Sequence, residues 1–163
     1  MRYFGKTGMN IKRVGFGGIP IQRISQEDTN KVIDELEKCG VNFIDTARGY
    51  TVSEEYLGNA IKGRREKFYI ATKSMSRDYE SMKRDIEISL KNLQTDYIDL
   101  YQMHNVKPAE YDTLFGEDKA YRALLEAKEQ GKIKHIGITS HGLETVEKAV
   151  ESDKFETIQF PYN

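Results

Sequence analysis

Val41-Asn42-Phe43-Ile44-Asp45, with the loop Thr46-Ala47-Arg48-Gly49-Tyr50 and the stretch from Ser53 to Ile61 behind it, decides the fold class of this chain. The first five residues are a short, mostly apolar run ending on an acid, the pattern of a buried parallel strand. Ser53 reads as the cap of a helix that continues through Ile61. A strand, a polar loop and an amphipathic helix make one βα unit.

The same unit recurs on both sides. Upstream, a hairpin-like segment precedes Arg13-Val14-Gly15-Phe16-Gly17-Gly18, a short strand ending in glycines. A helix from Ser25 to Cys39 follows, with the capping-box spacing of Ser25 and Asp28. Val32, Ile33 and Leu36 form its apolar stripe, and Gly40 stops it. Downstream, strands are predicted at Phe68–Lys73, Tyr97–His104, Lys134–Thr139 and Thr157–Phe160. Helices between them carry Met82, Ile86, Leu90 and Leu93, then Leu124 and Leu125, then Leu143, Val146 and Val150. The segment with Pro108 reads as a loop. The count is about six strands and five helices in strict order, spaced by roughly 25–35 residues as βαβ units are. No Pro/Gly/Ser-rich linker divides residues 1–163, so one domain is expected.

This order fits an open doubly wound sheet or a (β/α)₈ barrel. The doubly wound nucleotide fold should carry G-x-G-x-x-G after its first strand. Gly15 and Gly17 are present, but Pro20 occupies the third glycine position, and there is no Walker-A sequence.

Composition narrows the function classes. Hydrophobic residues are 38%, charged residues 31% and the net charge −1, a soluble globular balance. Basic residues alternate with acidic ones, as in Lys62-Gly63-Arg64-Arg65-Glu66-Lys67, so nucleic acid is not an expected partner. No apolar run approaches the roughly 18–20 residues of a membrane span. Met1 to Asn10 show no secretory h-region. Cys39 is the single cysteine, and no metal-ligand spacing occurs; a cytoplasmic location is expected.

Barrel enzymes gather their chemistry at the C-terminal ends of their strands. Those ends here carry Asp45 with Tyr50 just beyond, Lys73, His104, Ser140 with His141, and Gln159 leading into Asn163. Each alone has an ordinary structural explanation; their occurrence on successive strand ends points to chemistry. A phenol has a pKa of about 10, and a neighbouring ammonium would lower it. A carboxylate would hold that ammonium charged and oriented. An imidazole nearby could orient a carbonyl. Together they make a proton donor for reducing C=O, with the hydride supplied by a cofactor.

The segments GFGG at 15–18, FIDTARGY at 43–50, SEEYLG at 53–58, IATK at 70–73, DYIDLYQMH at 96–104, GKIKHIGITSH at 131–141 and IQFPYN at 158–163 resemble the aldo-keto reductase family in order and spacing. The resemblance implies a (β/α)₈ TIM barrel and NAD(P)H-dependent reduction of small-molecule aldehydes or ketones, with NADP(H) expected first and NAD(H) as the alternative. It implies Tyr50 as general acid, Lys73 lowering its pKa, Asp45 holding Lys73 and His104 orienting the carbonyl. It also implies Ser140 and Gln159 on the nicotinamide carboxamide, Asp45 near the ribose, and Gly17 and Gly18 beside the nicotinamide. His141 stands where many members carry Asn, a departure at the second carboxamide contact. The wording around His104 and His141 resembles a bacterial branch whose members often carry a C-terminal ferredoxin-like extension. An iron–sulfur cluster is expected only with such an extension.

A whole barrel has eight strands and about 250 residues. The six strands here are therefore expected to be an incomplete barrel: a truncated chain, a proteolysed product or part of a longer one. Open edges at the first and sixth strands would favour self-association. Two other functions follow from these readings: a cofactor-sensing regulatory module on the same barrel, and a fragment inactive by itself. The loop from Asn105 to Glu117 is expected to line the site.

Overall fold

The computed structural model describes residues 2–162; Met1 and Asn163 lie outside the described residues. A two-stranded antiparallel hairpin, β1 (Arg2–Tyr3) and β2 (Asn10–Ile11), comes first. Six parallel strands follow: β3 (Phe16–Gly17), β4 (Phe43–Asp45), β5 (Tyr69–Ser74), β6 (Ile98–Met103), β7 (Ile133–Thr139) and β8 (Thr157–Gln159). They pair in sequential order from β3 to β8 with no reversal. A doubly wound sheet reverses its order at a switch point, so sequential order selects the barrel architecture. The chain is an incomplete (β/α)₈ barrel: six strands wrapped by α1 (Gln26–Lys38), α2 (Ser53–Ala60), α3 (Tyr79–Leu93), α4 (Pro108–Tyr111), α5 (Ala120–Glu129) and α6 (Leu143–Ser152).

Six helices replace the expected five because the segment after β6 is not a plain loop. Pro108 opens the one-turn helix α4, where its missing N–H costs nothing. A 3₁₀ turn follows at Asp112–Leu114. Tyr111 and Leu114 are buried, Tyr111 against the rings of Phe115 and Phe155. The segment is thus packed into the core.

Two other expectations are corrected. Ser53 does not cap α2; Val52 holds that position without a side-chain bond. The Ser53 hydroxyl instead donates to the Gly18 carbonyl at 2.9 Å and pairs with the Thr46 hydroxyl at 2.8 Å, both buried. In α6 the stripe of Leu143, Val146 and Val150 is not buried as expected, Val146 being only half-buried. Leu143 and Val150 are exposed, and Thr145 and Ala149 are the buried residues. No described element covers that apolar flank. The capping of α1 stands as expected, with the Ser25 hydroxyl accepting from the Asp28 N–H at 3.0 Å.

Strand side chains alternate between two environments. Ile44, Ile70, Tyr101, Met103, Ile136 and Ile138 meet the helices in the main core. Ala71 and Leu100 face inward, where the hairpin packs Phe4, Met9 and Ile11 over one end. Inside, Gly137 leaves room: a Cβ there would stand 3.1 Å from the Gln102 side chain and 2.3 Å from the Thr157 hydroxyl. Outside, Gly58 lets α2 approach α3, since a Cβ would stand 2.3 Å from the Asn92 carbonyl. Gly58→Ala must push two helix backbones apart and should cost about 1–3 kcal/mol. Urea unfolding checks this; an unchanged midpoint would contradict the tight α2–α3 crossing.

Candidate active site

The strand ends open into a cavity of about 340 Å³ lined by Asp45, Tyr50, Lys73, His104, Thr139, Ser140, His141, Gln159, Phe160 and Pro161. Register explains the convergence. Asp45 is paired with Ala71, while Lys73, two residues further along β5, is paired with Gln102. The Lys73 side chain bridges that step. Its ammonium donates to Asp45 Oδ2 at 2.5 Å and to the Thr46 carbonyl at 2.8 Å. The other oxygen, Asp45 Oδ1, accepts from Gln102 Nε2 at 3.0 Å. Lys73 is 3% exposed, so this is a buried ion pair with both partners further hydrogen-bonded.

Tyr50 sits in a loop whose backbone continues the β4–β5 ladder. The Thr46 N–H donates to the Ala71 carbonyl and the Arg48 N–H to the Lys73 carbonyl, at 2.8 and 2.9 Å. The chain then turns, the Tyr50 N–H bonding the Ala47 carbonyl and the Ser53 N–H the Tyr50 carbonyl. The phenol ring ends 5.2 Å from the Lys73 ammonium, measured to its centroid, and edge-on to His104 with centroids 6.0 Å apart. Asp45, Tyr50, Lys73 and His104 are therefore brought together.

The electrostatics depart from expectation in one respect. The Tyr50 phenol is pushed above its ordinary value, chiefly by partial burial and then by the Asp45 carboxylate. The sequence reading has Lys73 lowering it. Burial and the Asp45 charge prevail, while the ammonium is committed to Asp45 and Thr46. His104 is pushed down to about 4 by burial, and then by the positive charges of Lys73, Arg77 and His141. Its ring is neutral at pH 7, and Nδ1 is buried without a hydrogen-bond partner. The cavity thus offers a protonated phenol and a neutral imidazole, suited to donating and accepting hydrogen bonds at one small polar group.

The other expected residues divide. Ser140, His141 and Gln159 line the cavity. The Ser140 hydroxyl donates to the Val106 carbonyl at 2.7 Å and accepts from the Gly142 N–H at 3.0 Å. Gly17 and Gly18 are not among the lining residues. Gly18 is buried for packing, since a Cβ would crowd Ser53, Asp45 and Thr46 at 3.1–3.2 Å. No residue of 105–117 lines the cavity. Asn163 lies outside the described residues. Sequence reasoning missed Gln102 and the free space above Gly137 that accommodates it. The signal was there: a polar residue in register with inward Leu100.

Comparison with known proteins gives a consistent result. The model of the Aldo/keto reductase family matches residues 13–163. L-galactose dehydrogenase of Arabidopsis thaliana is 31% identical over 154 residues, covering 85% of this chain and 48% of that protein. Aldo-keto reductase YhdN of Bacillus subtilis (strain 168) is 32% identical over 181 residues, covering 96% of this chain and 52% of its own. The holo form of an aldo-keto reductase from Bacillus halodurans superposes with a TM-score of 0.87 at 28% identity, over 99% of this chain and 57% of that one. The chain spans about half the length of the curated relatives it matches.

The His104 environment makes a stability prediction. The unfolded chain binds a proton on this ring near its ordinary pKa of about 6.5, whereas the folded chain does so only near 4. Protonation in that window favours the unfolded state, so the ring's contribution is present above pH 6.5 and lost as pH falls toward 4. His104→Gln should lose less stability than wild type between pH 7 and 4. Urea midpoints measured across that range test it; identical slopes would refute it.

Proposed function

The chain belongs to the aldo/keto reductase family, and from that premise we propose that it carries the proton-donating site of an NAD(P)H-dependent reductase of small-molecule aldehydes or ketones. The observation that carries this reading is the clustering of Tyr50, the Lys73–Asp45 pair and His104 on one cavity wall.

The residues fit a nicotinamide cofactor by their donor chemistry. Asp45, Ser140, His141 and Gln159 border the same cavity and provide hydroxyl, imidazole, amide and carboxylate groups. Ser140 and Gln159, with His141, would hold the carboxamide, and Asp45 would lie toward the ribose; Gly17 and Gly18, though not among the cavity's lining residues, would border the nicotinamide face. When bound, the cofactor supplies the hydride. NADPH is the donor to test first, with NADH beside it.

The chain's own part is proton delivery. A carbonyl oxygen placed between Tyr50 and His104 accepts hydrogen bonds from both groups. As charge develops on that oxygen, the Tyr50 hydroxyl transfers its proton to it. A phenol held above its ordinary pKa remains protonated at neutral pH, as reduction requires. His104, neutral, orients the carbonyl through a hydrogen bond. Lys73 and Asp45 keep the wall rigid.

Two further readings belong to the same proposal. Cys39 is an exposed free thiol, which fits a reducing cytoplasm. Among the described residues the outer edges of β3 and β8 have no strand partner, and we read them as a route to self-association. Light scattering should then give a mass at a multiple of 18.8 kDa; a monomer at working concentrations would remove that reading.

Tyr50→Phe should lower kcat for carbonyl reduction by about 10²–10⁴-fold and leave NADPH binding, followed by fluorescence quenching, largely intact. Retention of wild-type turnover would overturn Tyr50 as the acid. Tight cofactor binding without turnover on a broad carbonyl panel would favour the sensing module.

A further inference from the structure

Glu54 is 1% exposed, yet it stands outside the cavity and takes no part in the chemistry above. Both carboxylate oxygens are occupied. Oε1 accepts from the Thr72 hydroxyl and the Ser89 hydroxyl, each at 2.7 Å. Oε2 accepts from Arg48 Nη1 at 3.2 Å and from Asn92 Nδ2 at 3.3 Å. Thr72 belongs to β5, Ser89 and Asn92 to α3, and Arg48 to the loop that carries Tyr50. Arg48 is the only charged donor in the set. A buried carboxylate served by neutral donors alone is costly, so Glu54 holds the guanidinium firmly.

Arg48 is thereby fixed at both ends. Its backbone N–H donates to the Lys73 carbonyl at 2.9 Å, and its side chain is anchored on α2. Tyr50 follows two residues later. On its far side, Thr51 adopts the left-handed region at φ 41°, and the Ser53 N–H closes on the Tyr50 carbonyl at 2.8 Å. The clamp on Arg48 therefore sets where the loop places the phenol relative to Lys73 and His104.

We propose that Glu54 is a positioning residue for Tyr50, acting through Arg48; this rests on the reading of Tyr50 as the acid. A pair that served stability alone would move only the unfolding midpoint. A positioning pair also moves the phenol.

Glu54→Gln preserves shape and removes the charge that holds the guanidinium: the amide NH₂ can turn to the Thr72 and Ser89 hydroxyls, leaving Arg48 only a neutral carbonyl acceptor. Arg48→Met removes the charge from the more exposed partner and serves if Glu54→Gln does not fold. In the full chain, each single variant should lower kcat by about tenfold or more while KM and the NADPH Kd stay within about twofold, since a misplacement of about 1 Å can cost about 100-fold in rate. The double variant should be no slower than the slower single one. Independently of turnover, ¹³Cζ-tyrosine NMR, with Tyr50 assigned through Tyr50→Phe, should show the Tyr50 resonance shifted or broadened in both single variants. An unmoved resonance overturns the proposal whatever the rates, and additive rate losses overturn the route through Arg48. If the wild-type chain reduces no carbonyl, the functional reading fails, while the NMR comparison still decides whether Glu54 positions Tyr50.

Discussion

The Lys73–Asp45 ion pair is the constraint around which the cavity is organised. An ammonium inside a barrel loses its hydration, and a carboxylate beside it does too; neither is tolerable alone. The fold answers with the Thr46 carbonyl on the lysine and the Gln102 amide on the aspartate. Gln102 reaches Asp45 across the interior beside Gly137, where a side chain would crowd it. Strand stagger makes the geometry work, because Asp45 ends a short β4 one step below Lys73 on β5. The same pairing determines the electrostatics. With the Lys73 ammonium bonded to Asp45 and Thr46, burial and then the Asp45 charge push the Tyr50 phenol up.

A second carboxylate mirrors the first on the other face of the sheet. Successive residues of a strand address opposite sides. On β5, Lys73 reaches inward to Asp45 and Thr72 reaches outward to Glu54. The loop from Thr46 to Val52 leaves β4 between these two anchors. Its backbone is bonded to β5 at Thr46 and Arg48, and its side chains reach α2 at both ends, Thr46 at the Ser53 hydroxyl and Arg48 at Glu54. A loop this closely tied behaves as part of the scaffold, and catalytic groups held on rigid supports keep their geometry.

Most of the fold was legible because its signals are local. Apolar runs, helix stripes and the glycine stop at Gly40 (φ 69°) each follow from a few neighbouring residues. Asp45, Tyr50, Lys73 and His104 were legible because a strand end exposes its polar residue to a known face. What escaped depends on long-range contacts. Ser53 has the chemistry of a cap, and only the approach of Gly18 turns its hydroxyl elsewhere. Leu143 and Val150 have helix spacing, but periodicity does not say whether another element covers that stripe. The Pro108 segment contains a helix too short for its pattern to reveal. Glu54 resembles a solvated residue in an acidic pair with Glu55; its burial depends on donors from β5 and α3.

The distribution of the site over the strands matters more than the number of strands. Tyr50, Asp45, Lys73 and His104 come from β4, β5, β6 and the loops immediately after them, three adjacent strands in the middle of the sheet. Each has a neighbour on both sides, so this wall of the cavity is braced wholly within the described residues. Ser140 and His141 follow β7, which is paired with both β6 and β8, and Gln159 ends β8. The Ser140 N–H donates to the Gln159 carbonyl at 3.2 Å, continuing the β7–β8 ladder past the end of β7. Of the polar residues lining the cavity, Gln159 alone therefore stands on a strand paired on one side among the described residues, and its carbonyl is tied back to the Ser140 N–H.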